Sequence, residues 1–418
     1  MKRPLALSVL AAAALALSAC GQTVDAGTPA GTDTGATQSG APSCLDVSGD
    51  SVKIGFVNSL SGTMAISEKT VNDSLHLAAE EINAAGGVLG KTLQIVEEDG
   101  ASEPTVFAEK ATKLISQDCV AAVFGGWTSA SRKAMLPVFE ENNALLFYPV
   151  QYEGLEASPN IFYTGATTNQ QIVPAMDYLA SEGVTELFLV GSDYVFPRTA
   201  NKIINSYAEA NGITIVGEEY APLGHTDFST IVNKLRSSGA TAVFNTLNGD
   251  SNVAFFKEYK NAGLSAETTP VVSVSIAEEE VAGIGLDNIE GQLAAWNYFQ
   301  TVDTPENTTF VEAFKAKYGE NRVTSDPMQA AYVSLHIWKL MVEAAESFAV
   351  ADVVAAADGV TFEAPEGTVV VNGDNHHISK TALIGEIRDD GLLHTIWSSE
   401  EPIEPDPFLE GYDWWSGE

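Results

Sequence analysis

The chain has 418 residues and a formal charge of −35, with 45% hydrophobic and 9% aromatic residues. That content excludes disorder throughout and is enough for two or three domain-sized units with their own cores. So acidic a chain lacks the basic surface that nucleic acid or an anionic membrane face requires, and like charge keeps it soluble.

Lys2 and Arg3 form a positive start, and Leu5 to Leu17 is an apolar run too short for a comfortable membrane span. The run ends in Leu17-Ser18-Ala19-Cys20-Gly21, which resembles the bacterial lipoprotein box. The resemblance implies a signal peptide over 1–19, cleavage before Cys20 and a diacylglycerol on its thiol. The alternative is a plain secretory signal with a chance cysteine. Gly21 to Ser43 is built almost entirely from small and polar residues, with Val24 its single branched aliphatic. It cannot form a core, so 20–50 is expected to be the lipidated cysteine and a flexible tether. The expected location is the outer face of the cytoplasmic membrane, with the lipid as the only membrane contact.

From residue 51 onward short strands alternate with amphipathic helices. Val52 to Val57 reads as a strand. Val71, Leu75, Ala78, Ala79 and Ile82 then follow helical spacing, stopped by Gly86-Gly87. Leu93 to Val96 is the next strand, and Pro104 opens a helix. Strand Val120 to Phe124, helix Ser131 to Asn142 and strand Leu145 to Tyr148 follow. The pattern restarts with helix Gln170 to Glu182, strand Leu187 to Val190, helix Thr199 to Ala210 and strand Ile213 to Val216. Helix Phe228 to Ser237, strand Ala242 to Thr246, helix Val253 to Asn261 and strand Val271 to Val274 complete it. After residue 300 come two helices, Thr309 to Lys317 and Pro327 to Ser347, then β-like runs at 367–372, 378–388 and 392–397. These read as returns to the two lobes. The expected fold is α/β, two doubly wound, mainly parallel sheets in tandem.

Cys44 precedes the first strand and Cys119 the third. In such a sheet these strands are parallel neighbours, so both cysteines lie at one sheet end. A disulfide is feasible there in the oxidising compartment that export implies; two free thiols are the alternative.

Ligands of open α/β sheets sit beyond the carboxyl ends of the strands. That rule selects seven loops, four from the first lobe (58–63, 99–102, 125–131, 148–153) and three from the second (191–198, 245–251, 273–280). Ser129 and Ser131 lie where a helix begins, so hydroxyls and free N–H groups suit a carbonyl or carboxylate oxygen; ordinary N-capping fits equally. Tyr148, Tyr152, Tyr194 and Phe196 can wall a small planar ligand, or simply pack in the core. Asp250, Glu278 and Glu279 can accept ligand N–H groups, or lie solvated on the surface.

Signs of catalysis are weak. Gly125-Gly126 fits neither phosphate-loop pattern, and no G-x-S-x-G elbow occurs. His376-His377 is the only histidine pair, and neighbours on a strand face opposite ways, a poor metal clamp. No enzyme activity, metal or cofactor is expected.

Several segments together resemble the urea-binding proteins of ABC transporters. They are Ser59-Leu60-Ser61-Gly62-Thr63-Met64-Ala65-Ile66-Ser67-Glu68, Gly126-Trp127-Thr128-Ser129-Ala130-Ser131-Arg132-Lys133 and Tyr148-Pro149-Val150-Gln151-Tyr152-Glu153-Gly154. Gly191 to Asn201, Asn248-Gly249-Asp250-Ser251-Asn252 and Asn375-His376-His377 continue the match. The resemblance covers roughly residues 51 to 408. One departure is Gly126, where the family commonly has Cys. That family belongs with the branched-chain amino-acid and short-chain amide binders of the type I periplasmic-binding fold. The resemblance implies two lobes joined by three hinge crossings, near 163–168, 297–302 and 364–369. The first lobe would take 51–165 and 300–366, the second 166–299 and 367–418.

It also implies a ligand set. Trp127, Thr128, Ser129, Tyr148, Gln151 and Tyr152 would line the first lobe; Tyr194, Phe196, Asp250, Glu278 and Glu279 would close from the second. The implied partners are urea or a small amide and the permease subunits of an ABC transporter. A receptor for short amides or branched-chain amino acids is the alternative in the same fold. An amidohydrolase would need a nucleophile–base pair or metal cluster, which the sequence does not offer.

Overall fold

The computed structural model describes residues 44–417. The expected signal peptide, Cys20 and most of the tether lie outside the described residues.

The first lobe opens with β1 (Ser51–Asn58), α1 (Ala65–Ala84), β2 (Thr92–Asp99), α2 (Pro104–Ser116), β3 (Val123–Gly125), α3 (Ser129–Asn142), β4 (Leu146–Tyr148) and β5 (Ile161–Tyr163). Strands β2, β1, β3, β4 and β5 pair in that order, all parallel. The apolar stripe Val71, Leu75, Ala78, Ala79 and Ile82 is the buried face of α1, as its spacing predicts. The helix stops at a turn only glycine can make. Gly87 has φ 79° and a Cβ there would lie 2.0 Å from the Lys91 carbonyl oxygen.

The second lobe repeats the scheme with α4 (Ile172–Ser181), β6 (Glu186–Ser192), α5 (Val195–Asn211), β7 (Thr214–Ala221), α6 (Ser229–Ser238) and β8 (Ala242–Thr246). Then follow α7 (Ser251–Asn261), β9 (Val271–Ser273), α8 (Glu278–Ile284), α9 (Leu286–Ile289) and β10 (Leu293–Trp296). The parallel order is β7, β6, β8, β9, β10. Helix α5 begins four residues before the expected Thr199. Pro197 falls in its first turn, where a missing N–H costs nothing.

The chain then returns. Helices α10 (Pro305–Tyr318), α11 (Asp326–Ala345) and α12 (Val350–Ala355) cover the first lobe. Strands β11 (Thr361–Ala364), β12 (Gly367–Asn372) and β13 (His377–Ile378) extend its sheet to eight strands. Strands β14 (Leu383–Ile387) and β15 (Leu393–Ser398) then bring the second sheet to seven. Both sheets are therefore mixed but mostly parallel, the type I periplasmic-binding arrangement. The third crossing corrects the expectation of 364–369: β12 pairs with β13, and β13 with β5, so the chain leaves the first sheet only after Ile378. The single run expected at 378–388 is two strands of different sheets, split by that crossing.

A disulfide joins Cys44 and Cys119, whose Cα atoms are 5.3 Å apart. It ties the entrances of the paired strands β1 and β3 and closes a long loop, a constraint on the unfolded chain of ~2–4 kcal/mol. Among the described residues no helix is long and apolar enough to cross a membrane.

The histidine pair packs as its alternation predicts. His376 stacks on Phe162 and His377 on Tyr163, each with ring centroids 4.3 Å apart. His377 Nδ1 donates to the Asn375 carbonyl at 2.7 Å, so Nε2 of the neutral ring can only accept, and the Tyr152 hydroxyl shares its one proton between Nε2 at 2.6 Å and the Glu156 carbonyl at 2.8 Å. Burial holds its imidazolium form down, to about 3. The folded state thus binds fewer protons than the unfolded chain. Stability from this group is complete above an unfolded value of ~6.5 and is lost as pH falls from there toward about 3. At pH ~5 the loss is about 2 kcal/mol. An NMR titration should find the His377 ring still neutral at pH ~5; protonation near 6.5 would show that the ring is not closed off.

Candidate functional site

The loop after β3 sets the first wall. Gly125 (φ 122°) and Gly126 (φ 83°) turn the chain, and a Cβ on Gly125 would lie 2.4 Å from the Val57 carbonyl oxygen. Thr128 is the N-cap of α3: its hydroxyl accepts from the Ser131 N–H at 3.1 Å and bonds the Ser131 hydroxyl at 2.7 Å. Capping therefore occupies Thr128 and Ser131. Ser129 begins the helix, where N–H groups have no intrahelical acceptor. Its hydroxyl donates to Glu153 Oε2 and accepts from Arg132 Nη1 at 2.9 Å.

Arg132 is fully buried and anchors this wall. Its Nε donates to Glu156 Oε1 at 2.7 Å and its Nη2 to Glu153 Oε1 at 3.2 Å. The guanidinium lies 5.0 Å from the Tyr148 ring centre and 4.5 Å from that of Tyr152. The Tyr148 hydroxyl donates to the Trp127 carbonyl. The Tyr152 hydroxyl, between His377 Nε2 and the Glu156 carbonyl, faces into the lobe.

Across the cleft, Tyr194 caps α5 and is half-buried. Burial raises its phenol, and so do the first-lobe groups Tyr148, Glu153 and Glu68, with Arg132 opposing. Phe196 lies behind Tyr194, ring centres 6.3 Å apart, within the second-lobe core.

Direct bridges join the lobes. Gln151 Nε2 donates to the Val274 carbonyl at 2.8 Å and to Ser275 Oγ at 3.0 Å, and its Oε1 is enclosed without a partner. Trp127 Nε1 donates to Asn248 Oδ1 at 3.4 Å. At the start of α8, Glu279 Oε1 accepts from Ser325 at 2.8 Å and Thr70 at 3.2 Å, while Glu280 accepts from Ser67. Glu278 Oε1 accepts from the Gln300 N–H at 2.7 Å. The second oxygens of Glu278 and Glu279 are enclosed and unpartnered, and burial raises all three carboxyls. Asp250 instead lies exposed at an open mouth of ≈780 Å³, shared with Ile66, Lys69 and Arg322.

Trp127 and Gln151 bridge the two lobes, Ser129 and Tyr148 stand in the Arg132 cluster beside Trp127, and Tyr194 opens α5 on the second lobe. Glu279 meets α1 through Thr70, and Glu278 meets the Gln300 N–H. Thr128 serves as a cap, Tyr152 and Phe196 pack inside their lobes, and Asp250 is at the mouth. Glu68, Arg132, Glu153, Asn248 and Ser275 fall in the loops and motifs singled out from the sequence but were not among the expected ligand residues. Arg132 was findable, since it follows Ser129 by three residues and shares its helix face.

A family described as "Periplasmic binding protein domain" matches residues 52–413. The chain belongs to this family. Among relatives of this periplasmic binding protein is Leu/Ile/Val-binding protein homolog 6 of Brucella melitensis, 26% identical over 82% of this chain and 90% of that protein. A solute-binding protein of an ABC transporter from R. palustris, solved in complex with 4-hydroxybenzoate, shares 25% identity and a TM-score of 0.77 over 84% of this chain and 97% of that one. The isoleucine complex of a branched-chain amino acid transporter substrate-binding protein from Streptococcus pneumoniae shares the fold (TM-score 0.74, 22% identity, 85% and 100% covered).

Proposed function

We propose that this periplasmic binding protein captures urea, or a short amide, between its lobes and delivers it to the permease of an ABC transporter. Export and a lipid on Cys20 would hold it at the outer face of the cytoplasmic membrane. The carrying observation is the character of the unspent polar atoms. Gln151 Oε1, Glu278 Oε2 and Glu279 Oε2 are enclosed without partners; the amide oxygen can only accept, and ligand N–H groups would stabilise the two carboxyls in their ionised, accepting form against the burial that raises them. The one guanidinium at this wall is spent on Glu153 and Glu156. An anionic ligand would meet these buried carboxylates, with the cations Lys69 and Arg322 at the mouth beside Asp250 and Asp73. Urea is neutral and planar, with four N–H donors and one acceptor oxygen that suits the start of α3. Buried acceptors left unpaired are costly, so a ligand without N–H groups is selected against. Closure is favoured only as far as the ligand binds the closed form more tightly.

Branched-chain amino acids are the second reading, favoured by the named relatives and by the need of an ammonium group for the same acceptors. Calorimetry with urea, acetamide, leucine and 4-hydroxybenzoate separates them. Urea is expected to bind, without release of ammonia. Glu279→Ala should cost roughly 1.5–3 kcal/mol of urea affinity, the range for hydrogen bonds to charged groups. Tyr194→Ala should weaken binding by opening a wall, and Lys260→Ala, on the exposed face of α7, should bind as wild type. Saturation by leucine with no urea heat would replace the urea reading.

A further inference from the structure

We propose that Glu68 is the specificity-determining residue of the cleft, accepting a ligand N–H on Oε1 and thereby selecting neutral amides or amines over carboxylates. The proposal rests on the reading above, that the ligand carries N–H donors.

Glu68 lies in the first turn of α1, just past the carboxyl end of β1, and is 1% exposed. Its two oxygens differ. Oε2 accepts the Ser59 N–H at 2.6 Å, which fixes the carboxyl plane. Oε1 is enclosed and has no hydrogen-bond partner. The residue stands at the lobe boundary: Ser67 beside it reaches Glu280 of the second lobe, and its charge is felt by the Tyr194 phenol across the cleft. A bare acceptor in such a place is a standing penalty that only a donor removes. Asp99 behind it and Glu153 near Tyr194 add negative charge, so an arriving carboxylate is repelled. Burial, against the opposing Ser59 bonds, pushes the Glu68 carboxyl up to about 8. By itself the carboxyl therefore holds its proton at neutral pH, and a ligand N–H on Oε1 favours the ionised, accepting form.

The competing role is local. Glu68 can serve only to hold the β1–α1 loop through Ser59. Glu68→Gln separates the two roles, because glutamine still offers an oxygen to the Ser59 N–H but turns an N–H₂ group toward the ligand. Calorimetry on the full-length mature protein, wild type and variant, with urea, acetamide and acetate is the test. Acetate matches acetamide in shape but lacks N–H groups. Wild type is expected to prefer acetamide to acetate by about 100-fold or more, and Glu68→Gln to lose about tenfold or more for urea while that preference narrows. Urea affinity in the variant within about twofold of wild type would overturn the proposal. If wild type binds leucine and neither urea nor acetamide, the urea reading fails alone. Glu68 is then judged on leucine by the same two thresholds. If the variant does not fold, a urea-bound structure of wild type decides. A ligand nitrogen within hydrogen-bond distance of Oε1 is expected, and a nearest nitrogen beyond about 4 Å overturns the assignment.

Discussion

Arg132→Met is expected to cost about 3–5 kcal/mol of folding stability, the penalty for leaving buried partners of an ion pair uncompensated. Arg132 is 0% exposed and, among the described residues, is the only guanidinium bonded to Glu153 and Glu156. Lys133, mostly outside, reaches Glu156 at 2.8 Å and Glu153 only at 3.7 Å, so it offsets little. Burial alone would raise the Glu156 carboxyl, but Arg132 and Lys133 outweigh it and hold it down to about 2. A depressed carboxyl stabilises above its unfolded value of ~4.5, and that stability is lost as pH falls through about 2. This linkage amounts to ~3 kcal/mol, in line with the mutational range. The acid slope should therefore flatten in Arg132→Met. Guanidinium chloride melts at pH ~7 and ~4 provide the measurement, urea being the wrong denaturant for a proposed urea binder. Adding Glu153→Gln and Glu156→Gln should recover part of the loss. A loss under about 1 kcal/mol would mean that the cluster is solvated rather than buried.

The same cluster marks the limit of what the sequence reveals. Repeating βα units were legible because a parallel strand buried on both faces is a short apolar run, and a covering helix has one apolar stripe. Strand β5 escaped because it follows β4 with no helical pattern between them to mark a new βα unit. Strand β10 escaped because Leu-Ala-Ala-Trp carries little β-propensity. The rule of strand carboxyl ends led to the right loops, but loops do not reveal direction. Tyr152 and Tyr148 stand four residues apart, yet one bonds His377 inside the lobe and the other sits under Trp127 at the cleft. Glu278 and Glu279, in so acidic a chain, fit a solvated surface equally well. Their burial comes from Thr70, Ser325 and Gln300, which lie far away in sequence. The Trp127–Asn248 and Gln151–Val274 bridges span more than a hundred residues each, and no local pattern encodes them.

Lys380→Met is the second large effect, and it concerns the hinge. All three crossings meet at one side chain: Asn297 Nδ2 donates to the Gln170 and Thr381 carbonyls, each at 3.0 Å, while its N–H donates to Asp326 Oδ2 at 2.9 Å. Lys380, in the third crossing, is buried against Glu366 with Nζ 2.6 and 2.9 Å from the two carboxyl oxygens. Burial raises the Glu366 carboxyl to about 7 despite Lys380, and Asp326 nearby adds to the rise. A raised carboxyl contributes stability that is complete below its unfolded value of ~4.5 and fades as pH climbs through about 7. Removing Lys380 leaves two carboxyls and no cation, so both must hold protons or sit charged and unpaired. The expected cost is about 3–5 kcal/mol at pH ~8, shrinking by at least ~1 kcal/mol at pH ~5, where protonation relieves the site. Lys380→Met with Glu366→Gln should recover much of the loss, since an absent pair is cheaper than a broken one. Chemical denaturation of the three proteins at both pH values measures this. A pH-independent loss would assign the damage to packing of the lysine stem. A loss that the second substitution fails to reduce would remove the pair from any part in holding the hinge.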